Sequence, residues 1–513
     1  MVALPNENSS RLSHDIEKHA GSTSSAQAPD AEISSSTSDI AASEKSKPLW
    51  LQILKRGGVE EGSIAPVPLA ERKDTHVYHL FTMWFSGLLC LLPIVTGMVG
   101  TLSYGLSLRD ASLVIVFFTL ITTIPVAYMG TLGPKTGLRQ MIQARYAFGL
   151  FAITVILLLN AASVSGFTVI AAIVGGQCLS AVSNNNLSWD VGIAITLIIS
   201  LVLSFTGYKM LHFYEKWSWI PILISIIITV GCGGSKLKLQ AETAAPEAQT
   251  ILTFGCLVAG FIIPFAGIVS DFAVYITPDA PRRKTFGYVY AGMVVPSILL
   301  LVLGAAIGGA VPNVPSWSAA YEVNSVGGVL AEMLTPAKGF GKFIVVLLAL
   351  SVVGNISLSM YSISLNIQML FPWLLKVPRA VFTIITTAIL IPVSMKAANS
   401  FFNSLENFLG VISYWSAAFV AIMVVEFLVF RKGDYASYDP VNWNNRKKLP
   451  SGIAALGAGL CSFALVIPSM AQIWYTGPIA LKTGDIGFEF AFVISGILYV
   501  PFRMLEIKIQ GRL

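Results

Sequence analysis

Residues 257–272 read LVAGFIIPFAGIVSDF, an apolar stretch that is interrupted by Gly260, Pro264 and Gly267. Proline has no backbone N–H and crowds the preceding helical turn, and glycine favours an unwound backbone. Unwound backbone at membrane depth is tolerated only where it faces a water-filled cavity or other protein. Interrupted helices of this kind form the substrate sites of many secondary transporters, because their ends offer unpaired N–H and C=O groups at the midplane. The alternative is a proline-kinked membrane helix that binds no ligand.

The composition of the chain is typical of a protein that crosses a membrane many times. Of its 513 residues, 55% are hydrophobic and only 12% are charged, and the mean hydropathy is +0.72. A soluble domain carries about 25% charged residues. The formal net charge of +6 is spread over many short loops and does not indicate a nucleic-acid-binding patch. The five cysteines form no CxxC pair, so neither a disulfide framework nor a metal site is predicted.

The sequence predicts three parts. Residues 1–47 are polar and lack an apolar signal-peptide core, so we expect a disordered cytosolic tail. Residues 48–79 form a cytosolic lead-in, and residues 80–510 form an all-α, polytopic membrane domain of twelve transmembrane helices. Each of its apolar segments approaches or exceeds the ~20 residues that a helix needs to cross a bilayer. These segments, called spans one to twelve, are predicted at 80–104, 110–130, 147–178, 190–207, 217–234, 251–275, 287–311, 341–366, 378–396, 404–430, 451–474 and 485–505.

The distribution of lysine and arginine predicts the orientation of the spans. Fifteen of these cations fall in the loops on the side of the N-terminus, and seven fall in the connections on the other side. Both termini are therefore expected to be cytosolic. The connection at 312–340 contains AYEVNSVGGVLAEML, which we interpret as a short helix that is either an external cap or gate, or a passive loop helix. The three cations of the inner loop 131–149 are expected either to fix topology or to act in gating.

Span eight carries a polar stripe. Its members are spaced by four, four, three and four residues, which places them on one helical face: Ser351, Asn355, Ser359, Ser362 and Asn366. A polar stripe in hydrocarbon must face a partner helix or a wet cavity. The serines alone favour helix–helix packing. The amides favour a cavity, because packing rarely satisfies all of their hydrogen-bonding positions.

Spans one and three carry related features. Asn160 and Ser163 lie three residues apart on one face of span three. Span one contains Ser86 and, further on, the helix breakers Pro93 and Gly97, so it is the second interrupted span. Spans one and six are five spans apart, as an inverted repeat of five plus five helices requires.

Ionisable residues are rare in the spans. Asp271 and Glu426 lie near span ends, where we expect them to be solvated, and a buried carboxylate elsewhere is a candidate carrier of a coupling proton. No HExxH, GxSxG or Walker A motif is recognisable, so the sequence does not indicate an enzyme. We expect no cofactor, and active transport must then use an ion gradient.

Three segments carry a family resemblance. The lead-in contains GVE at 58–60, span one contains Trp84-Phe85-Ser86, and the loop 131–149 reads TLGPKTGLRQMIQARYAFG. With the order of the spans, these segments resemble the fungal purine-cytosine permeases of the nucleobase–cation symport superfamily. The resemblance implies the leucine-transporter type of fold, a five-plus-five inverted repeat with broken helices one and six. It also implies proton-coupled uptake of nucleobases at the plasma membrane.

The resemblance implies a substrate site as well. The family's span-one serine corresponds to Ser86, its span-three asparagine to Asn160, and its base-stacking tryptophan to Phe265. Of the family's A-N-N-x-P-N run in span eight, only the first asparagine is kept, as Asn355, and Ser359 replaces the last. The aromatic residue expected after the span-three asparagine is absent. The predicted substrate-binding residues are Ser86, Asn160, Ser163, Phe265, Asn355 and Ser359.

We therefore expect a proton-coupled importer of a purine, cytosine or similar planar heterocycle. Asn355 is expected to hydrogen-bond the ligand, Phe265 to stack on it, and the other polar residues to line the opposite wall. Each amide missing from the span-eight run leaves a polar partner unmatched, at a cost of about 1–3 kcal/mol. A carrier of vitamin B6 or another non-nucleobase ring is therefore one alternative, and a transceptor or inactive paralogue is another. The expected partners are the heterocycle, a proton and the lipid bilayer, with no nucleic acid.

Overall fold

The chain was analysed as a computed structural model that describes residues 64–205, 207–371, 373–374 and 377–513. The predicted tail, 1–47, and the first half of the predicted lead-in, 48–79, lie outside the described residues.

The described residues form helices in the order of the predicted spans. Nine of these helices are long and apolar enough to cross a membrane, and the bent pair that forms span one counts as a tenth. Two shorter apolar helices take the places of spans four and eleven, so the architecture corresponds to the twelve predicted spans. From span one to span twelve, the helices are His79–Leu88 with Leu91–Leu102, Leu108–Gly130, Gln140–Val182, Trp189–Phe205, Gly207–Gly233, Ala248–Ile262 with Val269–Ala273, Arg282–Ala310, Lys338–Leu370, Arg379–Ala398, Phe401–Val425, Ile453–Ser469 and Gly487–Gln510.

The connections contain short elements. Between spans two and three lies the helix Leu132–Thr136, and between spans seven and eight lies Pro315–Met333, which we call the cap helix. Span ten ends in a π-helical turn, Glu426–Phe430. The connection between spans eleven and twelve contains an antiparallel pair of two-residue strands, Ala471–Gln472 and Tyr475–Thr476, and the helix Ala480–Thr483.

Span one is broken. Its two helices meet at 55°. Leu89 and Cys90 leave helical geometry between them, with φ/ψ of −80°/69° and −144°/−178°. Pro93 lies in the first turn of the second helix, where a missing N–H removes no helical hydrogen bond. The predicted interruption of span one is confirmed, and Pro93 lies just after it. The interpretation of Gly97 as a helix breaker is wrong, because the second helix runs through this residue. A Cβ at Gly97 would lie 1.9 Å from the carbonyl oxygen of Leu301 in span seven, so this glycine permits close packing.

Span six is broken as well. Its first helix, Ala248–Ile262, is followed by a 3-10 turn, Ile263–Gly267, that contains Pro264. Ile268, with φ −135° and ψ −6°, separates this turn from the short helix Val269–Ala273. The predicted interruption is confirmed, and it covers residues 263–268, in the middle of the stretch 257–272.

Gly260 has a different role from the one we predicted. The helix runs through this residue without a break. A Cβ at Gly260 would lie 2.1 Å from the carbonyl oxygen of Leu409 in span ten. The interpretation of Gly260 as a helix breaker is therefore wrong. Its missing side chain instead lets the backbones of spans six and ten approach closely.

The packing of the first ten spans shows the repeat. The largest contacts between spans are preserved when each span is exchanged with the one five places away. Span one packs on seven, and six on two; three packs on four, and eight on nine; five packs on eight, and ten on three. Equivalent spans of the two halves also contact each other: span two packs on span seven, and span three packs on span eight. Spans eleven and twelve pack on each other, and span twelve packs on span ten.

The cap helix is tied to the ends of spans three and four. It is a helix with a kink at Asn324 and Ser325, which confirms the predicted helix in this connection. The amide oxygen of Asn324 accepts a hydrogen bond from the indole of Trp189 at 2.8 Å. Its amide nitrogen donates to Asn185 Oδ1. The kink therefore coincides with the point where the cap helix is anchored.

Candidate functional site

Spans one, six and eight surround a narrow cavity of about 20 Å³ beside the two breaks. Its wall is mostly apolar and aromatic, with polar atoms from one indole, one amide and one hydroxyl. Small-molecule sites in proteins have this composition, in which a few polar groups orient the ligand. The lining residues are Met83, Trp84, Gly87, Leu88, Phe265, Ile268, Phe272, Asn355, Leu358 and Ser359.

Aromatic rings surround the 3-10 turn of span six. Phe265 meets Trp84 of span one edge-on, with ring centroids 5.6 Å apart and an angle of 77° between the ring planes. Phe265 also lies nearly parallel to Phe167 of span three, at 5.7 Å and 16°. Such aromatic pairs stabilise one another and hold the rings in fixed orientations. The unwound turn therefore presents Phe265 in a defined position.

Asn355 contributes a hydrogen-bond acceptor to the cavity. Its side-chain nitrogen donates to the carbonyl oxygen of Gly87 at 3.2 Å, which joins span eight to the turn of span one before the break. Its Oδ1 is buried and has no hydrogen-bond partner among the described residues. A buried polar atom without a partner costs about 1–3 kcal/mol. The hydroxyl of Ser359, one helical turn further on, lies in the same lining.

Asn160 lies at the break in span six, outside the cavity lining. Its Nδ2 is 3.5 Å from the carbonyl oxygen of Gly267. A Cβ at Gly267 would lie only 2.2 Å from Asn160 Oδ1, so the approach of the two residues requires glycine. Asn160 therefore contacts the end of the turn that carries Phe265.

Ser86 and Ser163 also lie outside the cavity lining. The Ser86 hydroxyl is 3.0 Å from the hydroxyl of Ser218 in span five. The Ser163 hydroxyl accepts a hydrogen bond from the indole of Trp415 in span ten at 2.9 Å. Both serines thus connect helices around the cavity, and their predicted contact with substrate stays a prediction.

Of the six predicted residues, the structure brings three into one cavity lining, namely Phe265, Asn355 and Ser359. Sequence reasoning missed two aromatic residues of the cavity lining, Trp84 and Phe272. Trp84 belongs to the Trp-Phe-Ser segment that carries the family resemblance. Phe272 is the last residue of the interrupted stretch 257–272, so the sequence contained a signal for it.

A buried polar cluster lies at the end of span six. The Asp271 side chain is 1% exposed, and its Oδ1 accepts a hydrogen bond from the backbone N–H of Gln140 at 2.8 Å. Arg139 is also 1% exposed and donates to the hydroxyl of Tyr275 at 3.1 Å. The expectation that Asp271 is solvated is wrong, because the loop between spans two and three covers it. Arg139 is a packed residue of that loop and not a surface charge.

Glu426 is buried in an ion-pair network between spans ten and twelve. Its carboxylate lies 2.9 Å from Nε of Arg431 and 3.1 Å from Nε of Arg503, and it accepts a hydrogen bond from Tyr499 at 2.8 Å. Arg503 also pairs with Glu506 at 2.8 Å. The expectation that Glu426 is solvated is wrong, because span twelve packs against the end of span ten. None of these residues lines the cavity.

The structure has two broken helices beside a small aromatic cavity, and its first ten spans form two equivalent sets of five. These features define a carrier of the leucine-transporter type. The solved structure of Mhp1, a transporter of the nucleobase-cation-symport-1 family in a closed conformation with bromovinylhydantoin bound, has the same fold. Its TM-score to this chain is 0.65 at 17% sequence identity, over 87% of this chain and 95% of Mhp1.

Sequence comparison identifies the family. Residues 66–488 match the permeases for cytosine/purines, uracil, thiamine and allantoin, and the chain belongs to this family. It is 35% identical to the purine-cytosine permease fcyB of Emericella nidulans, over 88% of this chain and 90% of that one. It is 32% identical to the purine-cytosine permease FCY2 of Saccharomyces cerevisiae, over 92% and 91%. The vitamin B6 transporter TPN1 of the same yeast is 27% identical over 89% of each chain. The predicted resemblance is confirmed.

Proposed function

We propose that the chain is a proton-coupled symporter that imports a purine or cytosine across the plasma membrane, with both termini in the cytosol. The observation that carries this proposal is the buried, unpartnered Oδ1 of Asn355 in a cavity walled by Phe265 at two helix breaks. The relatives that are 35% and 32% identical over most of the chain are purine-cytosine permeases, which supports the nucleobase as substrate. Proton coupling and the plasma membrane follow from the family resemblance.

The residues around the cavity suit a small planar ring. The free volume of about 20 Å³ has room for about one water molecule, so a ring enters only as the lining side chains move apart. Phe265 offers a ring face for stacking, and Asn355 Oδ1 can accept a hydrogen bond from a ring N–H or an exocyclic amine. The bond from Asn355 Nδ2 to Gly87 fixes the amide, so that its oxygen is the atom left for the ligand. Ser359 supplies a hydroxyl that can donate or accept.

Ligand binding would couple three spans. A ring that contacts Phe265 and Asn355 bridges the unwound turn of span six and the middle of span eight. Asn355 is itself bonded to the turn of span one before its break. Occupation of the cavity would therefore stabilise the arrangement in which both broken helices close on the ligand. Alternating access requires such a dependence of conformation on substrate.

The decisive experiment is uptake of radiolabelled purines, pyrimidines and vitamins by transport-null cells that express the chain. We expect uptake of a nucleobase, accompanied by substrate-dependent proton influx. Asn355→Ala should abolish this uptake at an unchanged amount of protein at the cell surface. Ser351→Ala is the matched control, because Ser351 belongs to the same polar stripe but donates to Leu348 O within its own helix. Normal uptake by Asn355→Ala would refute the assignment of Asn355.

A carrier of vitamin B6 is the second candidate. It is favoured by the relative that transports vitamin B6 and by the departures from the family's span-eight run, where Ile356 and Ser359 replace asparagines. Competition distinguishes the candidates, because unlabelled pyridoxine or unlabelled cytosine should block uptake according to which is the substrate. Substrate-dependent proton influx would also exclude a transceptor or inactive paralogue.

A further inference from the structure

Trp84 lines the cavity and has a polar atom without a partner. Its side chain is only 5% exposed, and its indole Nε1 is buried without a hydrogen-bond partner among the described residues. An indole N–H can only donate, and buried tryptophans usually find an acceptor for it. An unpaired buried donor is unfavourable by itself. Its occurrence at a cavity wall points to an acceptor that arrives with the ligand.

The neighbours of Trp84 hold the ring in place without offering it an acceptor. Phe265 and Phe272 both meet the indole edge-on, with centroid distances of 5.6 Å and 6.1 Å and angles of 77° and 88°. On the span-seven side, a Cβ at Gly292 would lie 3.2 Å from the Cβ of Trp84. The backbone of span seven therefore packs close to the base of the side chain. The indole is pre-positioned by packing, which is what a recognition group requires.

We propose that the indole N–H of Trp84 donates a hydrogen bond to a ring acceptor of the transported heterocycle. This inference rests on the proposed function, because it needs a heterocycle in the cavity. Trp84 then supplies the donor and Asn355 Oδ1 supplies the acceptor of the same site. The substrate is a planar ring that carries both an acceptor, such as a ring nitrogen or carbonyl oxygen, and an N–H donor. Rings without an acceptor for Trp84 are discriminated against.

The position of Trp84 links this recognition to the break in span one. Trp84 lies one turn before Leu88, the last residue of the first helix of that span. Gly87, whose carbonyl oxygen accepts the hydrogen bond from Asn355, belongs to the same helical turn. A ligand held by both side chains therefore bridges span eight and the end of this helix. Trp84 acts here as a specificity-determining residue that contacts substrate.

The test compares Trp84→Phe with the wild-type chain. Phenylalanine keeps an aromatic ring and removes the N–H. We expect KM for the best substrate of the uptake panel to rise roughly tenfold, as the loss of one hydrogen bond predicts, with little change in maximal rate per surface protein. Trp317→Phe is the matched control, because Trp317 of the cap helix is also fully buried but lies outside the cavity lining, and its Nε1 has no hydrogen-bond partner among the described residues. KM of this control should stay at the wild-type value.

Substrate analogues identify the atom that accepts the hydrogen bond. Each ring nitrogen of the best substrate is replaced in turn by C–H, and each carbonyl is removed in turn. At least one analogue should compete about tenfold more weakly with the wild-type chain. The same analogue should compete with Trp84→Phe no more weakly than the parent compound does, because the contact is already lost.

Three outcomes would overturn the inference. The first is an unchanged KM in Trp84→Phe, or a rise equal to that of Trp317→Phe. The second is that every analogue competes more weakly than the parent compound by the same factor in Trp84→Phe as in the wild-type chain. The third applies if Trp84→Phe does not reach the cell surface: every analogue then competes with the parent substrate equally well for uptake by the wild-type chain. Wild-type uptake with an unchanged KM in the variant refutes only the role of Trp84, whereas no uptake of any compound by the wild-type chain refutes the proposed function as well.

Discussion

Replacing Gly267 by alanine tests how closely Asn160 holds the break in span six. The added Cβ would lie 2.2 Å from Asn160 Oδ1 and 3.4 Å from the terminal carbon of Met141. Heavy atoms in contact prefer a separation of about 3.5 Å, so the amide oxygen must move by roughly 1.3 Å. Asn160 is fully buried, and its amide is already next to the Gly267 carbonyl. Overpacking of this kind costs about 1–3 kcal/mol.

The effect is measured as thermal unfolding of the purified chain. We expect Gly267→Ala to melt at a lower temperature than the wild-type chain. The double variant with Asn160→Ala provides the critical comparison, because removing the amide removes the atom with which the new methyl group collides. In the Asn160→Ala background, Gly267→Ala should lower the melting temperature much less. The difference between the two backgrounds gives the coupling of the two residues.

Gly287→Ala provides the control for the general effect of adding a methyl group to a span. A Cβ at Gly287 would meet nothing within 4 Å, so this variant should melt at the wild-type temperature or above it. Two results would refute the reasoning about the break. One is a melting temperature of Gly267→Ala equal to that of the wild-type chain. The other is an equal loss of stability in the presence and absence of the Asn160 amide.

Two further predictions concern the buried charges. Glu426→Ala leaves Arg431 and Arg503 without their shared carboxylate, so it should cost about 3–5 kcal/mol in the free energy of unfolding; thermal unfolding and surface protein measure this loss. The exposed Glu322→Ala serves as control, and wild-type stability of Glu426→Ala would contradict the network. Asp271→Asn keeps an oxygen acceptor for the Gln140 N–H, whereas Asp271→Ala leaves that N–H unpaired, at a cost of about 1–3 kcal/mol. The alanine variant should therefore melt below the asparagine variant, and equal melting temperatures would show that the acceptor is not what matters.

The predictions that the structure confirms rest on local signals. The positions of the spans follow from runs of apolar residues, and the breaks in spans one and six follow from proline and glycine within such runs. The spacing of residues in span eight predicts that Asn355 and Ser359 share a face. Each of these inferences needs only the residues of one segment, because helical geometry fixes which of them are neighbours.

The predictions that failed depend on a second segment far away in the sequence. Gly260 reads as a helix breaker within its own span, but the backbone of span ten at Leu409 decides its role as a packing residue. Asp271 and Glu426 lie near helix ends, where the sequence predicts solvated residues. The loop between spans two and three buries Asp271, and span twelve buries Glu426. Sequence spacing places a residue on a face of its helix but does not say which helix that face meets.

The exchange of contacts between the two sets of five spans has a consequence for the direction of transport. The two breaks differ in this structure, since span one bends across two residues and span six passes through a five-residue turn. If each half took the geometry of the other, the main contacts between spans would form again with the roles of the two membrane faces exchanged. A carrier made of interchangeable halves has no built-in preference for inward or outward movement. In the proposed symport, the gradients of the heterocycle and of the proton then decide the direction of net transport.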